Sequence, residues 1–142
     1  MMNVRPGIHV FMFLQLFLLV SLISLSEGQV SMEFNKIVHI INSLDNGINL
    51  KVHFKYTHSR IHSDFGFHDV TFGNVYKFEF VANFATTWVF GTFQWNDKVH
   101  NVTVYNAAND HKRCFRNCYW IAEQNQVCTK GDDGTQDCFP WK

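Results

Sequence analysis

The stretch INLKVHFKY, residues 48–56, decides the fold class, because apolar and polar side chains alternate along its whole length. Its apolar positions are Ile48, Leu50, Val52, Phe54 and Tyr56. Successive side chains of a β-strand point to opposite sides, so these five would lie on one face and the polar residues on the other. The pattern predicts a strand of an antiparallel sheet with one buried face.

Further strand-like runs lie on both sides of this stretch. They are residues 36–42, 67–72, 75–80, 86–95, 99–105 and 118–123. Asn46-Gly47 predicts a tight hairpin after the first run, and Gly73-Asn74 and Asn96-Asp97 predict two later turns. Several short strands with turns between them predict one all-β domain, a small antiparallel β-sandwich with a disulfide-tied C-terminal segment.

Three of these segments carry more detailed expectations. Tyr76, Phe78 and Phe80 alternate with polar residues and are predicted to point inward. Residues 86–95 are apolar on both faces, which predicts a central strand covered on both sides. The tail that contains KGDDGTQD, residues 130–137, is predicted to be a loop held by cysteines.

Residues 1–28 have the organisation of a secretory signal peptide. Arg5 precedes an apolar run over residues 10–25, and the small-residue triplet Ser26-Glu27-Gly28 follows. The run is shorter than the roughly 20 residues that a membrane span needs. The sequence therefore predicts cleavage after Gly28, no membrane insertion, and a secreted domain over residues 29–142 in the extracellular space.

The charge balance restricts the class of partner. The chain has 12 basic and 12 acidic residues, and its net charge is zero with neutral histidines. Nucleic acids and anionic membranes select proteins with a basic surplus. The composition therefore predicts neither as a partner.

All four cysteines lie near the C-terminus, at Cys114, Cys118, Cys128 and Cys138. An even number in a secreted chain predicts two disulfides. The spacings match no zinc module, so no metal site is predicted there. The spacing alone leaves all three connectivities open.

Residues 53–70 contain four histidines and two aspartates, which raises the question of a metal or acid–base site. His53 alternates with Lys51 and Lys55, whose charges disfavour a metal cation. His58 and His62 fall in a predicted polar loop, where solvated side chains are the simpler interpretation. We predict no catalysis, no metal and no cofactor, and the alternative is a small secreted hydrolase or nuclease that uses these loop histidines.

An ordered series of motifs runs from about residue 36 to the C-terminus. It comprises IVHIINSL, INLKVHFK, SDFGFHDVTFGNVYKFEF, TTWVFGTFQW, VTVY, CFRNCYW and CFPW. In order and spacing the series resembles the plant self-incompatibility protein S1 family, whose members are also called S-protein homologues. The resemblance implies a secreted β-sandwich with hydrophilic loops, two disulfides and no catalytic activity. Founding members of that family are stigma ligands that inhibit incompatible pollen.

The resemblance has one clear departure. The family usually has a cysteine where this chain has Phe54 and another where it has Gly91. Phe54 is predicted to point inward, and Gly91 shares a strand face with Val89 and Phe93. We expect the two positions to meet, with the phenylalanine filling the space of a lost bridge.

The resemblance also suggests how the remaining cysteines pair. Cys114 and Cys118 match the family's later pair, CxxxCxW, which leaves Cys128 and Cys138 to tie down the tail. The implied pairing is Cys114–Cys118 with Cys128–Cys138, and Cys118–Cys128 across a hairpin is the alternative.

Two segments, residues 57–64 and 106–113, are predicted to be polar loops without core anchors that bind a cell-surface receptor. The candidate receptor-binding residues are His58, Arg60, His62, Asp64, Asp110, His111 and Lys112. Asp64 belongs to the motif SDFG and is expected to cap the turn at Gly66.

Two further sites are predicted on the strands. Asn101-Val102-Thr103 is a sequon for N-linked glycosylation, and alternation sends Asn101 and Thr103 to solvent. Trp88 lies on the strand face opposite Trp95 and would be the platform of a carbohydrate-binding module, a third class of function.

Overall fold

The computed structural model of the protein describes residues 6–27 and 32–142. Pro6–Glu27 form a helix, α1, which is a unit separate from the β domain. None of the helices in the described ranges is long and apolar enough to cross a membrane. The predicted cleavage position, Gly28, lies outside the described residues, and the signal peptide stays a prediction.

The domain that follows contains nine strands in two sheets. The strands are β1 Phe34–Ser43, β2 Leu50–His58, β3 Ile61–Val70, β4 Val75–Ala82, β5 Trp88–Trp95, β6 Lys98–Asn106, β7 Asn117–Glu123, β8 Gln126–Gly131 and β9 Gln136–Pro140. A 3-10 turn, Asp45–Gly47, follows β1, and a short helix, α2, Ala107–Asp110, follows β6. One sheet has the order β4-β1-β7-β8-β9 and the other the order β3-β2-β5-β6.

The all-β sandwich predicted from the sequence is confirmed, with one difference in strand direction. All strand pairs of the described domain are antiparallel except β1 and β7, which run parallel from Ile37 and Asn117 onward. A parallel pair needs a long connection, which here is the whole chain between residues 43 and 117.

The tight hairpin predicted at Asn46-Gly47 is wrong. Both residues have the positive φ angles on which that prediction rested, 57° and 66°. However, β1 pairs with β4 and β7, whereas β2 pairs with β3 and β5. The turn therefore carries the chain from one sheet to the other, and Leu44 inserts its fully buried side chain between them.

A buried amide side chain holds this crossing and a second one together. Asn42 is fully buried, and its Nδ2 donates to the carbonyls of Ile48 and Val70, both at 2.8 Å, while its Oδ1 accepts from Leu44 N at 3.0 Å. The backbone carbonyl of Asn42 also accepts from Gly73 N, in the turn where β3 crosses to β4. One residue thus satisfies backbone groups at two of the four places where the chain passes from one sheet to the other.

The inward-facing residues of β2 and β4 follow the predicted alternation. Leu50, Val52 and Phe54 are fully buried. Phe78 and Phe80 are 7% and 6% exposed and join the same core. Period-two alternation was therefore sufficient to identify this part of the core.

Two segment predictions are corrected by the structure. The outer face of β5 is not covered by another layer within the described domain, because Trp88 is 45% exposed. The tail is not a loop: β7, β8 and β9 form a meander, and only residues 132–135 of KGDDGTQD lie outside its strands. Short exposed strands such as β9 lack the buried face that makes a strand visible in a sequence.

Phe54 and Gly91 meet as expected, since they are directly paired between β2 and β5. A Cβ atom built on Gly91 would lie 1.9 Å from the carbonyl oxygen of His53 and 2.7 Å from Phe54 Cδ1. The Phe54 ring packs on Phe78 and Phe93, with centroids 5.3 and 5.5 Å away. The aromatic ring therefore occupies the space in front of the glycine.

The disulfides are Cys114–Cys118 and Cys128–Cys138, the pairing that the family resemblance implied. Cys128 and Cys138 face each other directly across β8 and β9. The alternative bridge between Cys118 and Cys128 does not form, because Cys118 pairs with Gly131.

Replacing Asn42 by alanine would leave the carbonyls of Ile48 and Val70 and the N–H of Leu44 without this partner. An unpaired buried polar group costs roughly 1–3 kcal/mol, so we expect the free energy of unfolding to fall by about 3 kcal/mol or more. Guanidinium unfolding with intact disulfides measures the loss. Asn35→Ala, at an exposed position of the same strand, is the control and should change stability by less than about 0.5 kcal/mol. Equal losses in the two variants would contradict the role of Asn42.

Replacing Gly91 by alanine places a methyl group against the backbone of His53. We expect the free energy of unfolding to fall by about 1–3 kcal/mol, the usual cost of overpacking a core. The matched control is Thr92→Ala, which removes atoms from the outer face of the same strand. A Gly91→Ala protein as stable as the wild type, measured by the same unfolding experiment, would show that β2 and β5 can separate without cost.

Candidate functional site

The two segments predicted to bind a receptor meet at one end of the sandwich, on either side of a third segment. We call the combined area of residues 58–61, 83–87 and 107–113 the loop surface. Ser59 Oγ lies 3.4 Å from Thr86 Oγ1, Ala107 N donates to Thr87 O at 2.9 Å, and the rings of Phe84 and His111 are 5.4 Å apart. The third segment was not predicted from the sequence.

His58 does not belong to an exposed loop, which corrects its predicted position in the polar segment 57–64. It is the last residue of β2, it is 6% exposed, and it pairs with Ile61 across a hairpin whose turn is Ser59-Arg60. Its Nδ1 lies 2.9 Å from Thr87 Oγ1, and its Nε2 lies 3.2 Å from the carboxylate of Glu33. His58 therefore supports the loop surface from below.

The central loop, residues 83–87, is held by one asparagine side chain. Asn83 Oδ1 accepts hydrogen bonds from the backbone N–H groups of Ala85, Thr86 and Thr87, at 3.1, 2.7 and 3.1 Å. Asparagine favours this arrangement because its short side chain reaches the backbone two to four residues ahead. The loop therefore keeps a defined shape although Ala85 and Thr86 are exposed.

The segment of residues 107–113 is anchored, contrary to the prediction of a loop without core contacts. Ala107 is fully buried, and Asn106 caps α2 by accepting from Ala108 N. Asp110 is bonded to the guanidinium of Arg113, with both Nε and Nη2 3.1 Å from Oδ1, and its Oδ2 accepts from Asn106 N at 2.8 Å. Asp110 is therefore an internal brace of the segment, and its role as a receptor contact stays a prediction.

Two buried groups lie beneath this segment. Burial, reinforced by the nearby Asp110, raises the pKa of Tyr105 to about 12. Lys36 is 2% exposed, and its ammonium donates to the carbonyls of Cys114 and Phe115. Burial lowers the pKa of Lys36, although Asp132 acts in the opposite direction. These contacts fix the chain where it leaves the loop surface and enters β7.

The exposed side chains of the loop surface combine positive charge with apolar area. Arg60 and Lys112 are exposed and make no ion pair within the described residues. Ile61 and Phe84 are 57% and 48% exposed. His111 is half-buried, and its Nδ1 is 2.9 Å from the carbonyl of Ala107. Of the predicted residues here, Arg60 and Lys112 are the ones fully available to a partner.

The loop histidines do not converge on one point. His58 points into the domain, whereas His62 is exposed and pairs with Thr57 across the hairpin. The two rings therefore lie on opposite sides of the hairpin. In the part of the chain that the structure describes, no group of three or more His, Cys, Asp or Glu residues is arranged to hold a metal ion.

Asp64 caps a turn, as predicted, and also contacts His53. Its Oδ1 accepts from Gly66 N at 2.8 Å, and Gly66 has a φ of 77°. The same oxygen lies 2.6 Å from His53 Nε2. The bond from the Gly66 backbone, and then the one from His53, lower the pKa of Asp64. Asp64 lies on the outer face of the four-stranded sheet and is not part of the loop surface.

A groove of about 400 Å³ crosses this outer face, and we call it the outer groove. Its side-chain walls include His53, Lys55, Trp88, Phe90, Asn101 and Thr103. Trp88 and Phe90 form an aromatic pair with centroids 4.5 Å apart, and Trp88 Nε1 donates to Thr103 Oγ1 at 3.3 Å. Asn101 and Thr103 are exposed, as the alternation predicted.

The sequence pattern that defines the plant self-incompatibility protein S1 family matches residues 37–141, which span both sheets and the loop surface. This chain belongs to that family. Membership agrees with the ordered motifs and with the two-sheet architecture.

Two relatives from Arabidopsis thaliana are similar over different lengths. The chain is 32% identical to S-protein homolog 6 over 128 residues, which cover 85% of this chain and 90% of that protein. It is 34% identical to S-protein homolog 5 over 80 residues, which cover 56% of this chain. That second match spans 60% of the length of S-protein homolog 5.

Replacing Thr87 by valine keeps the shape of the side chain and removes its hydroxyl. His58 Nδ1 and Asn83 N would then lose their partner, and we expect the free energy of unfolding to fall by about 1–3 kcal/mol. The matched control is Thr86→Val, whose hydroxyl is exposed, with an expected change below about 0.5 kcal/mol. Thermal and guanidinium unfolding measure both variants. If Thr87→Val costs no more than Thr86→Val, His58 is not the support of the loop surface.

Proposed function

We propose that this S1-family protein is secreted to the plant extracellular space and acts as a ligand that presents its loop surface to a cell-surface receptor protein. The observation that carries the proposal is the convergence of three rigidly held segments at one end of the domain. The exposed residues of these segments are Arg60, Ile61, Phe84 and Lys112. The hydrogen bonds that hold the segments in place are made by the residues beneath them.

The loop surface has the composition of a binding surface. Exposed apolar side chains at its centre supply area that gains free energy when it leaves water. Ile61 and Phe84 provide this area, and Arg60 and Lys112 add two unpaired positive charges beside it. We infer a receptor site with an apolar pocket and an acidic rim, since charge complementarity speeds encounter and selects partners.

The rigidity of the segments supports the same role. A loop that is ordered before binding loses less conformational entropy when the complex forms. Asn83, His58 and Asp110 hold the three segments through hydrogen bonds made within the free protein. The residues that present the surface and the residues that support it are therefore different.

The alternative of a secreted hydrolase or nuclease has less support from the geometry. Acid–base catalysis by a pair of histidines needs both imidazoles within reach of the same reacting atoms. His58 and His62 point to opposite sides of their hairpin. We therefore propose binding, and not catalysis, as the activity of this chain.

The experiment is competition binding of labelled protein, with its disulfides intact, to plant cells that include pollen. We expect saturable binding that unlabelled protein displaces. As unlabelled competitors, Phe84→Ala and Arg60→Ala should each need a higher concentration than the wild type to displace half of the labelled protein. The increase should be about tenfold for Phe84→Ala, which corresponds to about 1.4 kcal/mol of binding free energy. The loss for Arg60→Ala should shrink as salt is added.

The control variant is Val99→Ala, which changes a side chain of similar exposure, 53%, near the β5–β6 turn. That turn lies at the opposite end of β5 from the loop surface. Val99→Ala should bind like the wild type. Binding that never saturates, or an equal loss for Val99→Ala and Phe84→Ala, would contradict a receptor site on the loop surface.

A further inference from the structure

We propose that Asn101 carries an N-linked glycan whose first sugar lies in the outer groove, packed against Trp88 and Phe90. The groove would then be occupied by the protein's own modification and not by a free ligand. The inference rests on passage through the secretory pathway, which is part of the proposed function.

The sequon is available for modification. Asn101 is an exposed residue of β6, which is the edge strand of its sheet, and its side chain makes no hydrogen bond within the described residues. Thr103 is exposed on the same face. Asn101 and Thr103 therefore both face solvent and the groove. The transfer reaction requires the asparagine and the threonine of the sequon.

The position of the aromatic pair favours contact with the sugar. Asn101 is paired with Thr92, and Thr103 with Phe90, so Phe90 is the diagonal cross-strand neighbour of Asn101. Diagonal neighbours lie roughly 7–8 Å apart, a distance that a side chain extended by a sugar covers easily. A pyranose has a face of C–H groups that packs on an aromatic face, and the exposed area of Trp88 would be covered by it.

The polar residues of the groove suit the other groups of the sugar. Lys55 is exposed and His53 is half-buried, and both line the groove with nitrogen atoms. The Lys55 ammonium can donate to the hydroxyl and acetamide oxygens of N-acetylglucosamine. His53 Nε2 is already bonded to Asp64, which leaves Nδ1 of the neutral ring to accept from a sugar hydroxyl. Trp88 is held in place by its hydrogen bond to Thr103 Oγ1, so the sequon threonine also positions the aromatic platform.

The modification is an ordinary glycosyl transfer. Asn101 Nδ2 forms a bond to the anomeric carbon of an oligosaccharide carried on a lipid diphosphate. The bond from that carbon to the diphosphate oxygen breaks, the lipid diphosphate leaves with the bonding electron pair, and an amide proton is released. No group is oxidised or reduced. The transfer precedes folding, so the Trp88–Thr103 bond forms afterwards.

The test begins with expression of the full chain in a eukaryotic secretory host. One expression uses the chain as it stands, and a second places an established secretion signal ahead of it. Peptide mass mapping should find N-acetylglucosamine on Asn101. If only the second version is secreted, the proposal of secretion by this chain's own leader fails, while Asn101 is still tested. An unmodified Asn101 in secreted protein would overturn the inference.

Packing is tested by the effect of the glycan on the melting temperature. Glycosylated protein should melt at a higher temperature than Asn101→Gln, and trimming the glycan to its first sugar should preserve the difference. The difference should disappear in Trp88→Ala, whereas Trp88→Phe, which keeps an aromatic ring, should retain most of it. Phe72→Ala, at a similarly exposed aromatic residue outside the groove, is the control and should leave it unchanged.

Two outcomes would overturn the packing. One is a glycan that raises the melting temperature equally in Trp88→Ala and in the wild type, which would place the sugar in solvent. The other is binding of free oligosaccharides to the groove of the glycosylated protein on a glycan array, which would show that the groove is empty and serves an external ligand. If Trp88→Ala does not fold, Phe90→Ala, which removes the other aromatic wall of the groove, takes its place. The stabilisation by the glycan should then shrink in Phe90→Ala and stay unchanged in Phe72→Ala, and equal stabilisation in the two variants would overturn the packing.

Discussion

The fold depends on the satisfaction of backbone groups where the chain leaves one sheet for the other. A strand that crosses between layers gives up its ladder bonds in the interior, where water cannot replace them. Asn42 supplies partners at two of these crossings, from β1 to β2 and from β3 to β4, through its side chain to Ile48 and Val70 and through its backbone to Gly73. Leu44 can be buried beside these polar groups because they are paired. Position 42 therefore requires an amide side chain, since an apolar one would leave the groups without partners.

Alternation along each strand predicted much of this fold. The buried faces of β2 and β4 follow directly from period two, because each strand has one face in the core. Partner choice between strands does not follow from that pattern. Asn46 and Gly47 have the positive φ angles expected of a hairpin, yet the same angles here form a turn that joins one sheet to the other. The parallel pairing of β1 with β7 joins residues about 80 positions apart, and nothing local in the sequence encodes it.

The candidate site was predicted in part for the same reason. Polar composition located the hairpin near Arg60 and the segment near Lys112, but composition does not reveal which histidine is buried. The sequence around His58 predicts a loop residue, because its partners Thr87 and Glu33 are distant in the sequence. The loop of residues 83–87 was overlooked, although Asn83 followed by small and hydroxyl residues is a signal for an asparagine-capped turn. Phe84 belongs to a short exposed segment that carries no periodicity.

The position of the disulfides has a consequence for the response of this S1-family protein to the redox state of its surroundings. The chain has four cysteines, and both bridges lie on the side of the five-stranded sheet. Within the described domain the four-stranded sheet has no disulfide, and its facing pair Phe54 and Gly91 contains no sulfur. A reductant would therefore act on the β7–β9 side alone, first at the bridge of the exposed Cys138, and only later at the buried Cys114–Cys118. The strands β2, β5 and β6 contain no thiol that oxidants or reductants can change.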